Sequence, residues 1–234
     1  MKKLIRSSFS VALAALMSVS ALMSVSMMAH SGDGVAEEGS SSGVSYNIGY
    51  MSEYWYRGYY MAESSVSFGA DVEMGNLYVG TWWADVDNGV EYDIYGGYNF
   101  SLMGIPMYAG FTGYYYSDNF DSDYEEINIG ADMGFMSIDA AVDGEYQLAA
   151  GDQGYQHYTI TVPLSPVGLN IDYVYQTWTG EAITGHNHEL HYGMTVSGVD
   201  VGLMVGRNID TSHAAGLTDN DDSTYANFTL GYSF

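Results

Sequence analysis

The stretch ANFTLGYSF, residues 226–234, closes the sequence and decides how the rest is read. Ala226, Phe228, Leu230, Tyr232 and Phe234 share one parity, while Tyr225, Asn227, Thr229, Gly231 and Ser233 share the other. Side chains on an extended chain point alternately to opposite faces, so this period of two, apolar on one side only, predicts a β-strand with one greasy face. With no tail written after it, the strand itself is expected to anchor the end of the chain.

Working outward, the same alternation recurs in segments of about ten residues, the length that carries a tilted strand across a bilayer. They lie around 44–56, 64–73, 77–85, 91–101, 106–116, 124–132, 135–146, 155–164, 168–178, 187–197, 199–208 and 224–234. Every second connection is short: MGN at 74–76, MGI at 103–105, MG at 133–134, SPVG at 165–168 and SG at 197–198. Most of the others are longer: SDNFDSD at 117–123, LAAGDQG at 148–154, TGEAITGHN at 179–187 and IDTSHAAGLTDNDDS at 209–223. Short turns on one rim and long loops on the other, with an even strand count, predict an all-β fold: a transmembrane antiparallel β-barrel of about twelve strands. A soluble β-sandwich also has many short strands, but has no reason to sort its loops by length.

Ahead of the barrel, Lys2, Lys3 and Arg6 precede an apolar run that ends on small residues near Ala29. Residues 1–29 are therefore expected to be a cleavable signal peptide, 30–43 a short flexible periplasmic leader, and 44–234 the barrel. Residues 44–234 hold only Arg57 and Arg207 as basic groups, against a total of 29 acidic residues in the chain. Such a balance excludes nucleic-acid binding by phosphate neutralisation. The 23 Tyr, 8 Phe and 4 Trp argue against disorder. There is no cysteine, hence neither a disulfide framework nor a thiol for lipid anchoring.

Parity assigns the two faces. Val66/Phe68/Ala70/Val72, Val199/Val201/Leu203/Val205 and the apolar set of 226–234 are expected to face lipid. The opposite parity gathers Asp71, Glu73, Asp93, Glu126, Asp132, Asp139, Asp143, Asp172, Glu189 and Asp200 in a water-filled lumen, because a charge at mid-bilayer costs a few kcal/mol. Glu53 and Arg57 share a parity on the first strand and are expected to point inward near the outer rim. Arg57 is read either as a lone cationic constriction or as the partner of an inward carboxylate. Arg207 has lipid-facing parity at the outer end of its strand, placed to snorkel toward a headgroup phosphate. Glycines of inward parity, such as Gly80, Gly97 and Gly130, are expected to leave room or let strands bend. The aromatic runs YWYRGYY at 54–60, Trp82–Trp83, YYY at 114–116 and Trp178 read as interfacial girdles, although Trp82 and Tyr114 also have the parity to fill the lumen.

Over residues 44–100 the sequence resembles the TorF or Gcw_chp family of bacterial outer-membrane porins. The motif Ser-x-Tyr-x-x-Arg-Gly is carried by Ser52, Tyr54, Arg57 and Gly58, and Tyr-x-Gly-x-Trp by Tyr78, Gly80 and Trp82. The acidic-aromatic strand is carried by Glu91, Asp93, Tyr95, Gly96, Gly97 and Tyr98. The resemblance implies an outer-membrane location and a transport role, and names no substrate. The terminal LGYSF is similar to the signal read by the outer-membrane barrel assembly machinery.

His186 and His188 stand two apart on a strand and could share a metal ion, with a solvated loop edge as the alternative; Glu189 and His191 fall on the other face. The acidic tracts DNFDSDYEE and DNDD lack the glycine and spaced glutamate of a calcium loop. Neighbouring Ser212 and His213 point apart on an extended chain, so no catalytic triad is expected. Together these features predict no cofactor, and a channel for small hydrophilic solutes that prefers cations, because fixed carboxylates in a narrow lumen concentrate them. The alternative is a non-conducting surface barrel whose acidic outer loops bind divalent cations or a partner. Expected partners are outer-membrane lipids and lipopolysaccharide, the assembly machinery, and small solutes or cations.

Overall fold

The computed structural model describes residues 42–165, 170–181, 183–213 and 223–234. The expected signal peptide, and the leader up to residue 41, lie outside the described residues. Twelve strands form one closed antiparallel barrel: β1 (Ser42–Met51), β4 (Ser65–Met74), β5 (Leu77–Val86), β6 (Gly89–Leu102), β7 (Ile105–Tyr116), β8 (Tyr124–Asp132), β9 (Ser137–Tyr146), β10 (Gln153–Pro163), β11 (Asp172–Gly180), β12 (Ile183–Val196), β13 (Val199–His213) and β14 (Thr224–Ser233). Each strand pairs with its neighbour in sequence, and β14 closes on β1 through the rungs Asn47↔Ser233 to Met51↔Thr229. The terminal strand therefore sits between β13 and β1, with every edge paired.

Alternation sets the two faces. Val66, Phe68, Ile94, Phe111, Ile127, Leu203 and Val205 lie exposed on the outside, forming the apolar belt that a bilayer requires of a barrel. Two of the short turns explain their own geometry: Met103–Gly104 and Ser197–Gly198 take positive φ at both residues, the two-residue turn whose twist matches that of the flanking strands. These turns share one rim with both described ends of the barrel, here the terminal rim. The opposite, loop rim carries 117–123 and 147–152; residues 214–222, most of the predicted loop at 209–223, lie outside the described residues.

Three expectations are corrected. The first predicted strand, 44–56, stops at Met51, because β1 and β4 pair rung for rung from Ser42↔Met74 to Met51↔Ser65 and leave residues 52–64 out of the wall. That segment forms its own two-stranded sheet, β2 (Tyr54–Tyr56) with β3 (Tyr59–Ala62). The predicted loop at 179–187 is mostly strand, since β11 runs to Gly180 and β12 starts at Ile183. Third, Asp143 does not face the lumen. A bulge in β9 shifts the register between the rungs Ile127↔Asp143 and Asn128↔Ala141, setting Asp143 opposite the outward Ile127, where it is exposed.

Candidate functional site: an acidic lumen with a hairpin folded into it

The β2–β3 hairpin folds into the barrel rather than over it. Tyr54, Tyr56, Tyr59 and Met61 are buried in one cluster with inward wall residues Trp82, Tyr95, Tyr114, Tyr155 and Trp178. Burying each such side chain contributes on the order of 1.5–3 kcal/mol, so the aromatic run is best satisfied away from water. The expected girdle at 54–60 is thus largely a lumenal plug, and Trp178 and Tyr116 also point inward. An outward girdle does exist on β5–β7, where Trp83, Tyr92 and Tyr115 stack at 5.5 Å spacings.

The turn of the hairpin is Arg57–Gly58, with φ of 48° and 88°. A left-handed arginine is strained, and its surroundings explain why it persists. The guanidinium donates to both carboxylate oxygens of Glu126, at 2.6 and 3.2 Å, and lies over the rings of Tyr56 (4.9 Å) and Trp178 (5.2 Å). Trp178 Nε1 donates to the Arg57 carbonyl at 3.1 Å, and Asn208 Nδ2 to the Gly58 carbonyl. Arg57 is 4 % exposed and Glu126 2 %. Arg57 is therefore paired, as one reading of the sequence had it, but at a hairpin tip instead of on the first strand. Glu53 does not line the wall: it precedes β2, half-buried, and accepts from Trp55 Nε1 at 2.7 Å.

Two carboxylates are hydrogen-bond hubs. Besides Arg57, Glu126 accepts from Asn128 Nδ2 (2.9 Å), Tyr155 Oη (3.0 Å) and Tyr114 Oη (3.3 Å). Glu189 accepts from Tyr225 Oη (2.6 Å), Asn187 Nδ2 (2.9 Å) and Gln176 Nε2 (3.0 Å), with His191 Nε2 at 2.6 Å. Closer to the hairpin, Glu91 accepts from Tyr54 Oη at 3.2 Å, whereas Asp93, 0 % exposed, has neither oxygen hydrogen-bonded to the protein. Glu91 was missed as a lumenal site residue although it shares the parity of Asp93.

Toward the terminal rim lie Asp71, Glu73, Asp132, Asp139, Asp172 and Asp200, each with the inward parity the sequence assigned. Asp71 accepts from Tyr95 Oη at 2.6 Å, Asp139 from Tyr108 Oη at 3.0 Å and Asp200 from Thr195 Oγ1 at 2.7 Å. Glycine has a role here that parity alone did not reveal. A Cβ on Gly80 would meet Asp71 Oδ1 and the Tyr95 ring at 2.5 Å, and one on Gly130 would strike the Tyr108 ring. Tyrosines lie flat over glycines of the neighbouring strand, so these glycines seat rings rather than leave open space.

At the loop rim, Tyr56, Tyr59, Asp121, Tyr146 and Trp178 help to line a small recess. Burial raises the Asp121 carboxyl from its ordinary 3.8 to about 6, against the opposing hydrogen bond from Tyr146. His186 and His188 do face the same way, outward, with ring centroids 5.6 Å apart. They sit within β12, not at a loop edge. Among the described residues, no three His, Cys, Asp or Glu side chains are grouped to hold a metal ion.

The motifs that carried the family resemblance converge on this site. Ser52, Tyr54, Arg57 and Gly58 build the hairpin, while Trp82 meets Tyr54 edge-on at 5.8 Å and Glu91 receives its hydroxyl. No family model matches the sequence, and no curated protein does. Among solved structures the chain is similar to the KdgM porin, at 10% identity with a TM-score of 0.51, covering 82% of this chain and 98% of that one. It is similar to the KdgM porin in complex with disordered oligogalacturonate over the same shares, at 10% identity with a TM-score of 0.50. A structure from a study of the in-meso crystallization of membrane proteins aligns at 9% identity and TM-score 0.54, covering 82% of this chain and 83% of that one. At such identities the likeness is one of fold: a closed barrel of the membrane-porin type.

Proposed function

We propose that the protein is an outer-membrane channel of the porin type for small hydrophilic solutes, that its lumen prefers cations, and that the β2–β3 hairpin closes it in the conformation described. The observation that carries this reading is the charge of the inward face. Asp71, Glu73, Glu91, Asp93, Glu126, Asp132, Asp139, Asp172, Glu189 and Asp200 line the lumen with one guanidinium among them, which Glu126 already holds, while His191 lies against Glu189. Fixed negative charge on low-dielectric walls concentrates cations and repels anions. A polyanion such as the oligogalacturonate bound by the KdgM porin would find no free basic group among these inward residues. Small cations and neutral solutes fit this surface better.

In this reading the terminal rim faces the periplasm and the loops face outward, as the even strand count requires. The expected partners follow from the same placement: lipopolysaccharide around the outer belt, and the barrel assembly machinery at β14. A second reading has one specific observation in its favour. Arg57, Glu91, Asp93, Glu126, Gln176, Asn187 and Asn208 are all buried, so at the level of the hairpin the barrel is packed like a core, as a non-conducting surface barrel would be.

The test is the reversal potential of the refolded protein in a planar bilayer under a potassium chloride gradient, repeated after acidification through the carboxylate range. A cation-favouring reversal potential that fades on acidification supports the channel. Silence from both the wild type and a barrel lacking the hairpin, with folding verified by heat-modifiable gel mobility, favours the second reading.

A further inference from the structure

We propose that the lumen wall around the hairpin tip is a binding site for a small organic cation bearing a guanidinium and a second amine, and that Arg57–Gly58 occupies it as a tethered stand-in. The inference rests on the reading of the barrel as a cation-preferring channel and names a solute class for it. Half of the site belongs to the wall and is built without the hairpin. Glu126 accepts from Asn128 Nδ2 at 2.9 Å, Tyr155 Oη at 3.0 Å and Tyr114 Oη at 3.3 Å, donors carried by β8, β10 and β7. A carboxylate so oriented offers both oxygens to the fork of a guanidinium, and the Trp178 ring on β11 gives that guanidinium a face at 5.2 Å.

Another part of the wall meets the backbone of the tip. Asn187 and Asn208 are ladder partners on β12 and β13, 1 % and 0 % exposed. Asn208 Nδ2 donates to the Gly58 carbonyl. A Cβ on Gly58 would lie 2.5 Å from Asn208 Oδ1 and 3.1 Å from Asn187 Cγ, so only glycine brings the chain this close to both amides.

The tip fills this site without satisfying it. Asn187 Oδ1 and Asn208 Oδ1 accept no hydrogen bond, and neither does either oxygen of Asp93, which stands on the rung of Tyr114 at 0 % exposure. A buried acceptor without a donor is costly, and glycine has no side chain to supply one. A solute that brings an ammonium beside its guanidinium carries donors for the oxygens the hairpin leaves unpaired. The wall thus offers more recognition than Arg57–Gly58 uses, which a seat built for the hairpin alone would not.

The experiment offers millimolar agmatine, an alkylguanidine with a terminal amine, and cadaverine, a diamine of similar length with an ammonium in place of the guanidinium. In the wild type the solute must displace Arg57, so agmatine should speed amide hydrogen exchange across 52–64. In a barrel whose residues 53–63 are replaced by a short Gly-Ser linker, shown folded by heat-modifiable mobility, calorimetry should give saturable binding, about tenfold tighter for agmatine than for cadaverine. Glu126→Gln in that barrel should abolish the preference. Equal binding of the two probes, or none by the folded shortened barrel, would overturn the proposal. Wild-type exchange that agmatine leaves unchanged would also overturn it, whether or not the shortened barrel binds, as the mark of a structural seat for Arg57. No current is read: a barrel that binds agmatine without conducting keeps the site and loses the channel, and one that conducts cations without binding agmatine loses only the site.

Discussion

Arg57 and Glu126, at the tip of a hairpin and on the far wall, meet at 2.6 Å with both side chains shut away from solvent. Two charges leave water at a cost of several kcal/mol each, and only close pairing with further hydrogen bonds recovers it. The pair therefore stabilises one position of the hairpin more than it stabilises the barrel. Arg57→Gln should leave Glu126 uncompensated and weaken the plug by about 3–5 kcal/mol. Adding Glu126→Gln removes the stranded charge and should restore most of that loss. Amide hydrogen exchange across 52–64 reads both effects; equal protection in all three proteins would show that the ion pair does not hold the hairpin.

Asp93 offers the opposite test. A carboxyl with no hydrogen bond to the protein at 0 % exposure is a cost of the fold, not a support. Asp93→Asn should leave the urea midpoint unchanged or raise it. A loss beyond about 1 kcal/mol would show that the carboxylate has a partner.

Ring seating makes the lumenal glycines selective. At Gly80 an added methyl must displace Asp71 and Tyr95, and overpacking of this kind costs about 1–3 kcal/mol. Gly43→Ala, which would meet nothing within 4 Å, is the control and should be silent in the same urea titration. If both substitutions are silent, the rings have somewhere else to go.

The pH response of the loop rim follows from Asp121. Its folded value of about 6 lies above the ordinary 3.8, so the folded protein holds this proton more tightly than the unfolded chain does. Stability from this group therefore grows as pH falls from above 6 toward 3.8, and is lost as pH rises through 6. Asp121→Asn should flatten that part of the pH profile of the urea midpoint. A profile unchanged by the substitution would assign the dependence to other carboxyls.

The barrel was legible because alternation is a property of the chain itself: a strand with lipid on one side and water or packed side chains on the other must show period two. The hairpin was not, because YWYRGYY alternates equally well as a strand end, and a tyrosine suits a headgroup zone as readily as a lumen. Two signals were nonetheless present. The first predicted strand, 44–56, was longer than most of the others, and Arg57–Gly58 is a pair that a two-residue turn can use. Asp143 was misplaced because a single extra residue in β9 reverses parity beyond it, and nothing in the local sequence marks that bulge. For His186 and His188 the shared face was readable, while their setting was not, since it depends on where β12 begins.

The central claim is that a hairpin closes a cation-preferring lumen, and the most direct test removes the hairpin while keeping the wall. Residues 53–63 would be replaced by a short Gly-Ser linker, which leaves the β1–β4 pairing intact, and single-channel conductance would be compared with wild type in a planar bilayer under a salt gradient. The account expects a larger, steadier conductance from the shortened barrel, with a reversal potential favouring cations. The same conductance from both proteins, or a reversal potential favouring anions, would contradict it.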